Sequence, residues 1–246
     1  MSDRREFLAA TSGALGAAFL GTRLPAVSPV PRAAGKPGPL TVLFQGDSIT
    51  DNGRNRTATD ANTTAQLGSG YPYLIAAAAL AAEPERGLRF FNRGISGNKV
   101  PDLAARWDAD TLALKPDVLS ILVGVNDFWH KLLNGYTGTT EDYEKGYGDL
   151  LRTTRAALPA TRLVVLEPFV LRTGSVDARW FPEFDARRAA AARLAHAAGA
   201  TFLPLQAMFD RLTRNTPPAY WAADGVHPTP AGHAAIARAW RDAVRL

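Results

Sequence analysis

Cysteine is absent from the 246 residues, which excludes disulfides, a thiolate nucleophile, and Cys-ligated zinc or iron-sulfur centres. An excess of one charge is missing too. Of 28 basic and 23 acidic residues, five basic and two acidic fall in the first 39, so the remainder is close to balanced and offers little for a nucleic-acid partner. The apolar stretch at residues 7–20 is shorter than the roughly 20 residues that cross a bilayer, so no integral membrane segment is expected in the mature form. The 46% apolar and 21% charged composition is that of a globular chain long enough for one well-buried domain.

Arg4 and Arg5 stand directly before the 7–20 run, as in a twin-arginine export signal that carries folded proteins across a bacterial membrane. Five prolines between residues 23 and 39 then suit an extended spacer. The expected division is a signal segment over 1–28, a proline-rich linker over 29–39 and a catalytic domain over 40–246. The expected location is periplasmic or secreted.

From residue 40 the chain alternates short β-branched runs with longer alanine-rich stretches, the pattern of a parallel sheet covered on both faces. Strands are predicted over residues 40–45, 89–92, 118–123, 163–167 and 201–205. Helices are predicted over 71–83, 101–114, 141–158, 182–198 and 230–244. Gly199 reads as a helix stop, and Thr229-Pro230 as an N-cap with its first-turn proline. The implied fold class is α/β, a three-layer α/β/α domain on a five-stranded parallel sheet.

In such sheets chemistry collects in the loops beyond the carboxyl ends of the strands. GDSITDNGR, NRGISGN and GVNDFWH follow the first three predicted strands, and DGVHP precedes the last helix. Ser48 falls at a sharp strand-to-helix turn. A serine hydroxyl needs a base, and His227 can serve if Asp224, three residues earlier, holds the imidazole tautomer. Each piece also has a plain structural reading: a serine or aspartate at a helix start is a cap, and Asp224 with His227 can be a capped turn. A metal site built from Asp224, His227 and His233 is a further alternative, although it leaves the serine cluster without a role. Asp47 and Asp127 are expected to bond loop backbone so that Ser48 and Asn126 stay aimed. His196 suits the end of its alanine-rich helix.

GDS at 46–48, the glycine of NRGISGN at 94, GVND at 124–127 and DGVH at 224–227 occur in the order of the SGNH, or GDSL-type, hydrolases, and the chain resembles that family over nearly all of residues 40–246. With GSGYPY, NRGISGNKVPDLAARW, VGVNDFWH and DGVHPTPAGH it is most similar to the bacterial acetylxylan and xylo-oligosaccharide esterases. The resemblance implies a flavodoxin-like SGNH fold, a Ser48, His227 and Asp224 triad, and an oxyanion hole made by the backbone N–H of Ser48, the backbone N–H of Gly94 and the side-chain amide of Asn126. It also implies assembly into homo-oligomers, although the sequence carries no long apolar heptad stripe; no cofactor and no metal are expected, because nucleophile, base and oxyanion donors are already supplied.

Side chains near the motifs that could line a sugar pocket are Asp47, Arg54, Tyr71, Trp129, Phe169 and Trp221; aromatics of this kind are also ordinary core residues. The leading expectation is a serine esterase that removes acetyl groups from xylan fragments or related carbohydrates. A broader short-chain carboxylesterase, lysophospholipase or thioesterase with the same catalytic residues stands beside it. An idle carbohydrate-binding module would bind sugar without turnover.

Overall fold

The β-branched and aromatic runs do become five strands, and their alternating side chains build two separate cores. A computed structural model describes residues 38–246, so the expected signal segment over 1–28 and nearly all of the expected linker over 29–39 lie outside the described residues. In chain order the elements are β1 (Thr41–Gly46), α1 (Ser48–Asp51), α2 (Thr64–Leu67), α3 (Tyr71–Ala82), β2 (Arg89–Asn92) and α4 (Val100–Ala104). They continue with β3 (Val118–Leu122), α5 (Val125–Leu133), α6 (Thr140–Ala157), β4 (Arg162–Leu166), α7 (Glu183–Ala197), β5 (Thr201–Leu203), α8 (Leu205–Leu212), α9 (Pro218–Trp221) and α10 (Pro230–Val244).

All pairings are parallel and the strand order is β2-β1-β3-β4-β5. Val42 and Phe44 point to one face, where Phe90, Val118 and Val164 meet Tyr71 and Ile75 of α3 and Ile236 and Trp240 of α10. Leu43 points to the other, with Phe91, Leu119, Ile121 and Val165 under Leu103 of α4, Tyr143 and Tyr147 of α6 and Ala190 of α7. Helices therefore cover both faces, which is why the strands read as nearly continuous apolar runs. Ser120, a polar residue within β3, is satisfied by the indole N–H of Trp240 at 3.0 Å.

The predicted helix over 101–114 is instead divided. Pro101 lies in the first turn of α4, which stops at Ala104, and the chain resumes as a π-helical turn at Asp108–Leu112. The fifth strand is shorter than predicted, because Leu205 opens α8. Thr229 caps α10 by accepting the Gly232 N–H, and Gly199 takes a left-handed φ of 59° just beyond α7. Among the described residues no helix is long and apolar enough to cross a membrane.

Strand order 2-1-3-4-5 reverses direction beside β1, and the crevice at that reversal is the expected ligand position of an open α/β sheet. The segments leaving β1, β2 and β3 all emerge there. They carry Ser48, Gly94 and Asn126.

Candidate active site

β1 passes into α1 through Gly46, where a Cβ would collide with the Leu122 carbonyl and the Thr50 side chain. Asp47 is the N-cap of the one-turn helix, its Oδ1 accepting the Ile49 N–H at 3.0 Å. Its carboxyl is buried and Oδ2 has no partner. Burial, reinforced by the nearby charge of Asp127, pushes the Asp47 pKa up to about 7.

Ser48 Oγ is 2.8 Å from His227 Nε2, and His227 Nδ1 is 2.6 Å from Asp224 Oδ2. Asp224 Oδ1 also accepts the backbone N–H groups of Val226 at 2.9 Å and His227 at 2.7 Å. Burial alone would raise this carboxyl, but the hydrogen bonds from the His227 ring and from both backbone groups hold it below the ordinary range. A carboxylate at Nδ1 selects the tautomer with its proton there, leaving Nε2 to accept from the serine hydroxyl. The turn is tight because Gly225 has φ of 85° and lies against the carbonyls of Leu171 and Thr173. Leu171 and Ser175 return backbone N–H bonds to Gly225 and Asp224, both at 2.8 Å.

Opposite this relay, the Gly94 N–H donates to Asn92 Oδ1 at 2.9 Å, and the Asn126 side-chain amide donates to the Asn98 carbonyl at 3.2 Å. Asn126 lies in the first turn of α5, not in a loop as the sequence reading has it. The Ser48 N–H belongs to the first turn of α1, where a helix has no acceptor of its own. Asp127 is buried and accepts the Val100 N–H at 3.0 Å, tying α5 to α4. Its pKa rises to about 6, burial outweighing the Val100 bond and the charge of Arg187. Both aspartates therefore bond backbone, as expected.

Four of the six pocket candidates are corrected. Asp47 is too deeply buried to meet a ligand. Tyr71 is a core residue, edge-on to Phe44 at 5.7 Å with its hydroxyl 2.9 Å from Thr50 Oγ1. Phe169 is fully buried against Phe209 at 4.5 Å. Arg54 is buried beneath the loop after β2 and donates from Nε to the Gly94 carbonyl at 2.7 Å, so it props that loop. Burial lowers its pKa to about 10. Trp221 is half-buried against Tyr220, and its carbonyl receives the Thr229 N–H at 2.9 Å. Trp129 alone of the six has its ring against the imidazole of His227, at 5.7 Å.

His233 turns away from the relay. Its Nδ1 accepts the Tyr71 N–H at 3.1 Å, and burial, helped by His227, takes its pKa down to about 4. Among the described residues no group of three His, Asp or Glu side chains converges as a metal site would need. Sequence reasoning missed Asn92, which is fully buried and donates to the carbonyls of Thr50 at 2.6 Å and Leu67 at 2.9 Å. It also missed Arg106. Both lie inside quoted motifs, NRG and ARW, yet the spacing carries no sign of where their side chains reach.

The model of the GDSL-like lipase/acylhydrolase family matches residues 44–235. An acetylxylan esterase of Geobacillus stearothermophilus is 34% identical over 203 residues, 81% of this chain and 91% of that protein. The crystal structure of Axe2, an acetylxylan esterase of the same organism, superimposes with a TM-score of 0.76 at 33% identity over 86% of this chain and 97% of that one. A protein of Parabacteroides merdae described as a GDSL-like lipase is 46% identical, with a TM-score of 0.82 over 84% of this chain and 95% of its own. The family match, these likenesses over more than four fifths of the chain and the hydrogen-bonded serine, histidine and aspartate together place the chain in the GDSL-like lipase/acylhydrolase family, as a serine hydrolase of small esters.

Proposed function

We propose that the chain is an acetylesterase acting on acetylated xylan fragments or related carbohydrates, with Ser48 as nucleophile, His227 as general base and acid, and Asp224 as the group that orients the imidazole. The observation that carries the catalytic part is the unbroken relay from Ser48 Oγ to His227 Nε2 at 2.8 Å and from His227 Nδ1 to Asp224 at 2.6 Å. Ser48 Oγ bonds to the ester carbonyl carbon while its proton passes to Nε2, and the carbonyl π electrons move onto oxygen. Collapse breaks the bond to the sugar oxygen, which leaves with the proton from Nε2. Water then gives a proton to Nε2 and attacks the acetyl-serine. A second collapse breaks the bond to Ser48 Oγ, which takes the proton back from Nε2, and acetic acid departs and ionises to acetate in the solvent.

The oxyanion of each tetrahedral intermediate is met by the N–H of Ser48, the N–H of Gly94 and the amide of Asn126. A full negative charge is a stronger acceptor than the neutral Asn92 oxygen that holds Gly94 in the resting site, so the Gly94 N–H is drawn to it as charge develops. Trp129 offers an aromatic wall beside the imidazole, suited to the face of a sugar or to closing a short acyl slot. The 34% identity to an acetylxylan esterase supports the acetyl and carbohydrate part.

The test is kcat/KM for acetyl to octanoyl esters of one alcohol, together with acetate release from acetylated xylo-oligosaccharides. An open groove gains about 0.8 kcal/mol per buried methylene, so its specificity rises with chain length, whereas a closed slot meets overpacking and reverses the trend. The expected result is a steep fall beyond acetyl. Rising specificity through octanoyl with no acetate release would reject the deacetylase reading and leave a lysophospholipase or thioesterase with the same catalytic residues. Export by the twin-arginine route belongs to the same proposal, and normal export of an Arg4→Lys, Arg5→Lys double variant would reject it.

A further inference from the structure

Arg106 lies between α4 and the π-helical turn, with its side chain 15% exposed. Its guanidinium reaches three separate chain segments. Nε donates to Asn98 Oδ1 at 2.9 Å, and Nη1 donates to the Arg93 carbonyl at 2.8 Å, with Gln45 Oε1 at 3.0 Å and Asp110 Oδ2 at 2.8 Å around the same nitrogen. Nη2 faces the Gly46 carbonyl at 3.4 Å.

Two of those segments each hold one oxyanion donor, and the third bonds the remaining one. The Gly46 carbonyl ends β1, two residues before Ser48. The Arg93 carbonyl and the Gly94 N–H belong to one planar trans peptide unit and point in opposite directions, so fixing the oxygen aims the hydrogen. A charged donor on that oxygen also polarises the unit and strengthens the N–H as a donor. The third segment is Asn98, whose own carbonyl receives the Asn126 amide.

We infer that Arg106 is the positioning residue of the oxyanion hole, one guanidinium that fixes the Ser48, Gly94 and Asn126 donors relative to one another. It acts through the backbone and through Asn98, without touching substrate. The inference rests on the donor assignment proposed above. Only a planar, multidentate group does this: a lysine keeps the charge, but its single nitrogen cannot span the three segments.

The test is steady-state kinetics of Arg106→Lys on the full chain with an acetyl ester, scaled to the number of sites that a phosphonate titrates, with Asn126→Ala measured alongside. A donor displaced by about an ångström costs on the order of 100-fold, so kcat is expected to fall roughly 10- to 100-fold while KM stays within about threefold. A parental kcat, or a loss carried wholly by KM, overturns the inference when Asn126→Ala is impaired. An unimpaired Asn126→Ala overturns the donor assignment itself, and the inference with it. Should Arg106→Lys fail to fold, Asn98→Ala removes one strut and leaves the guanidinium in place. A several-fold drop in kcat at constant KM then supports the inference, and an unchanged kcat overturns it.

Discussion

Ser48 and His227 stand 179 residues apart in the chain and 2.8 Å apart in space. The sheet makes this contact. β1 ends where Ser48 begins α1, while the His227 turn is held by backbone bonds from Leu171 and Ser175, which follow β4. Neither half of the pair has a use for catalysis without the other.

Asn126→Ala is expected to lower kcat by on the order of 100- to 1000-fold with little change in KM, because in the proposed oxyanion hole the amide meets charge that appears in the transition state. Steady-state kinetics on the folded variant checks this. An unchanged kcat removes Asn126 from the oxyanion hole.

Trp129 and Phe169 are expected to separate cleanly, although the sequence presents them as equals. Phe169→Ala deletes a ring packed on Phe209 in the core and should cost about 3–5 kcal/mol of stability, with KM for substrate unaltered. Trp129→Ala removes a half-buried ring beside His227 and should alter kcat/KM for an acetylated sugar at a much smaller stability cost. Denaturant unfolding and kinetics on both variants would show the division, and a KM effect from Phe169→Ala would contradict its place in the core.

Gly94→Ala should damage both stability and turnover. A Cβ there would land on the backbone nitrogen of Asp51 and lie 2.9 Å from the Thr50 carbonyl carbon, both part of the helix that carries Ser48. Overpacking of this kind costs about 1–3 kcal/mol, and here it also shifts two oxyanion donors apart. A variant with parental Tm and kcat would show that the loop yields without consequence.

Asp47→Asn should change the pH dependence of stability. The native carboxyl titrates near 7 because it is buried, against 3.8 for the ordinary group. The folded state therefore keeps a proton that the unfolded chain has released, and the stability this gives is full below about pH 4 and is lost as pH rises through about 7. Asparagine has no such loss. Relative to the parent, the variant should gain stability between pH 4 and pH 8, by on the order of 4 kcal/mol or less. Asp127, raised to about 6, acts in the same direction in both proteins, and its charge beside Asp47 is part of what the variant relieves. Urea unfolding at the two pH values measures it, and a difference that does not vary with pH would mean that Asp47 is ionised throughout.

The sheet was legible because β1, β3 and β4 are buried on both faces and so read as nearly continuous apolar runs. The relay was legible because GDS and DGVH keep their chemistry within a few residues. Short elements were not. α1 and α2 have four residues each, below any periodic signal, and α5 begins inside the GVND motif, where polar chemistry hides a helix. Arg54 and Tyr71 misled for another reason. Proximity to a motif along the chain says nothing about the face a side chain takes, and both turn inward, to the Gly94 carbonyl and to Thr50. Arg106 was invisible because its partners, Gly46, Arg93 and Asn98, meet only once the sheet is formed.

Acid quenching of the enzyme during turnover of acetylated xylo-oligosaccharide, followed by peptide mass mapping, tests whether an acetyl group is carried on Ser48. Acetyl is expected on the peptide containing Ser48 and none in Ser48→Ala, which should also release no acetate above the low background that an oxyanion hole alone supports. Continued acetate release by Ser48→Ala, with no acetyl trapped on Ser48 in the parent, would contradict a covalent role for Ser48.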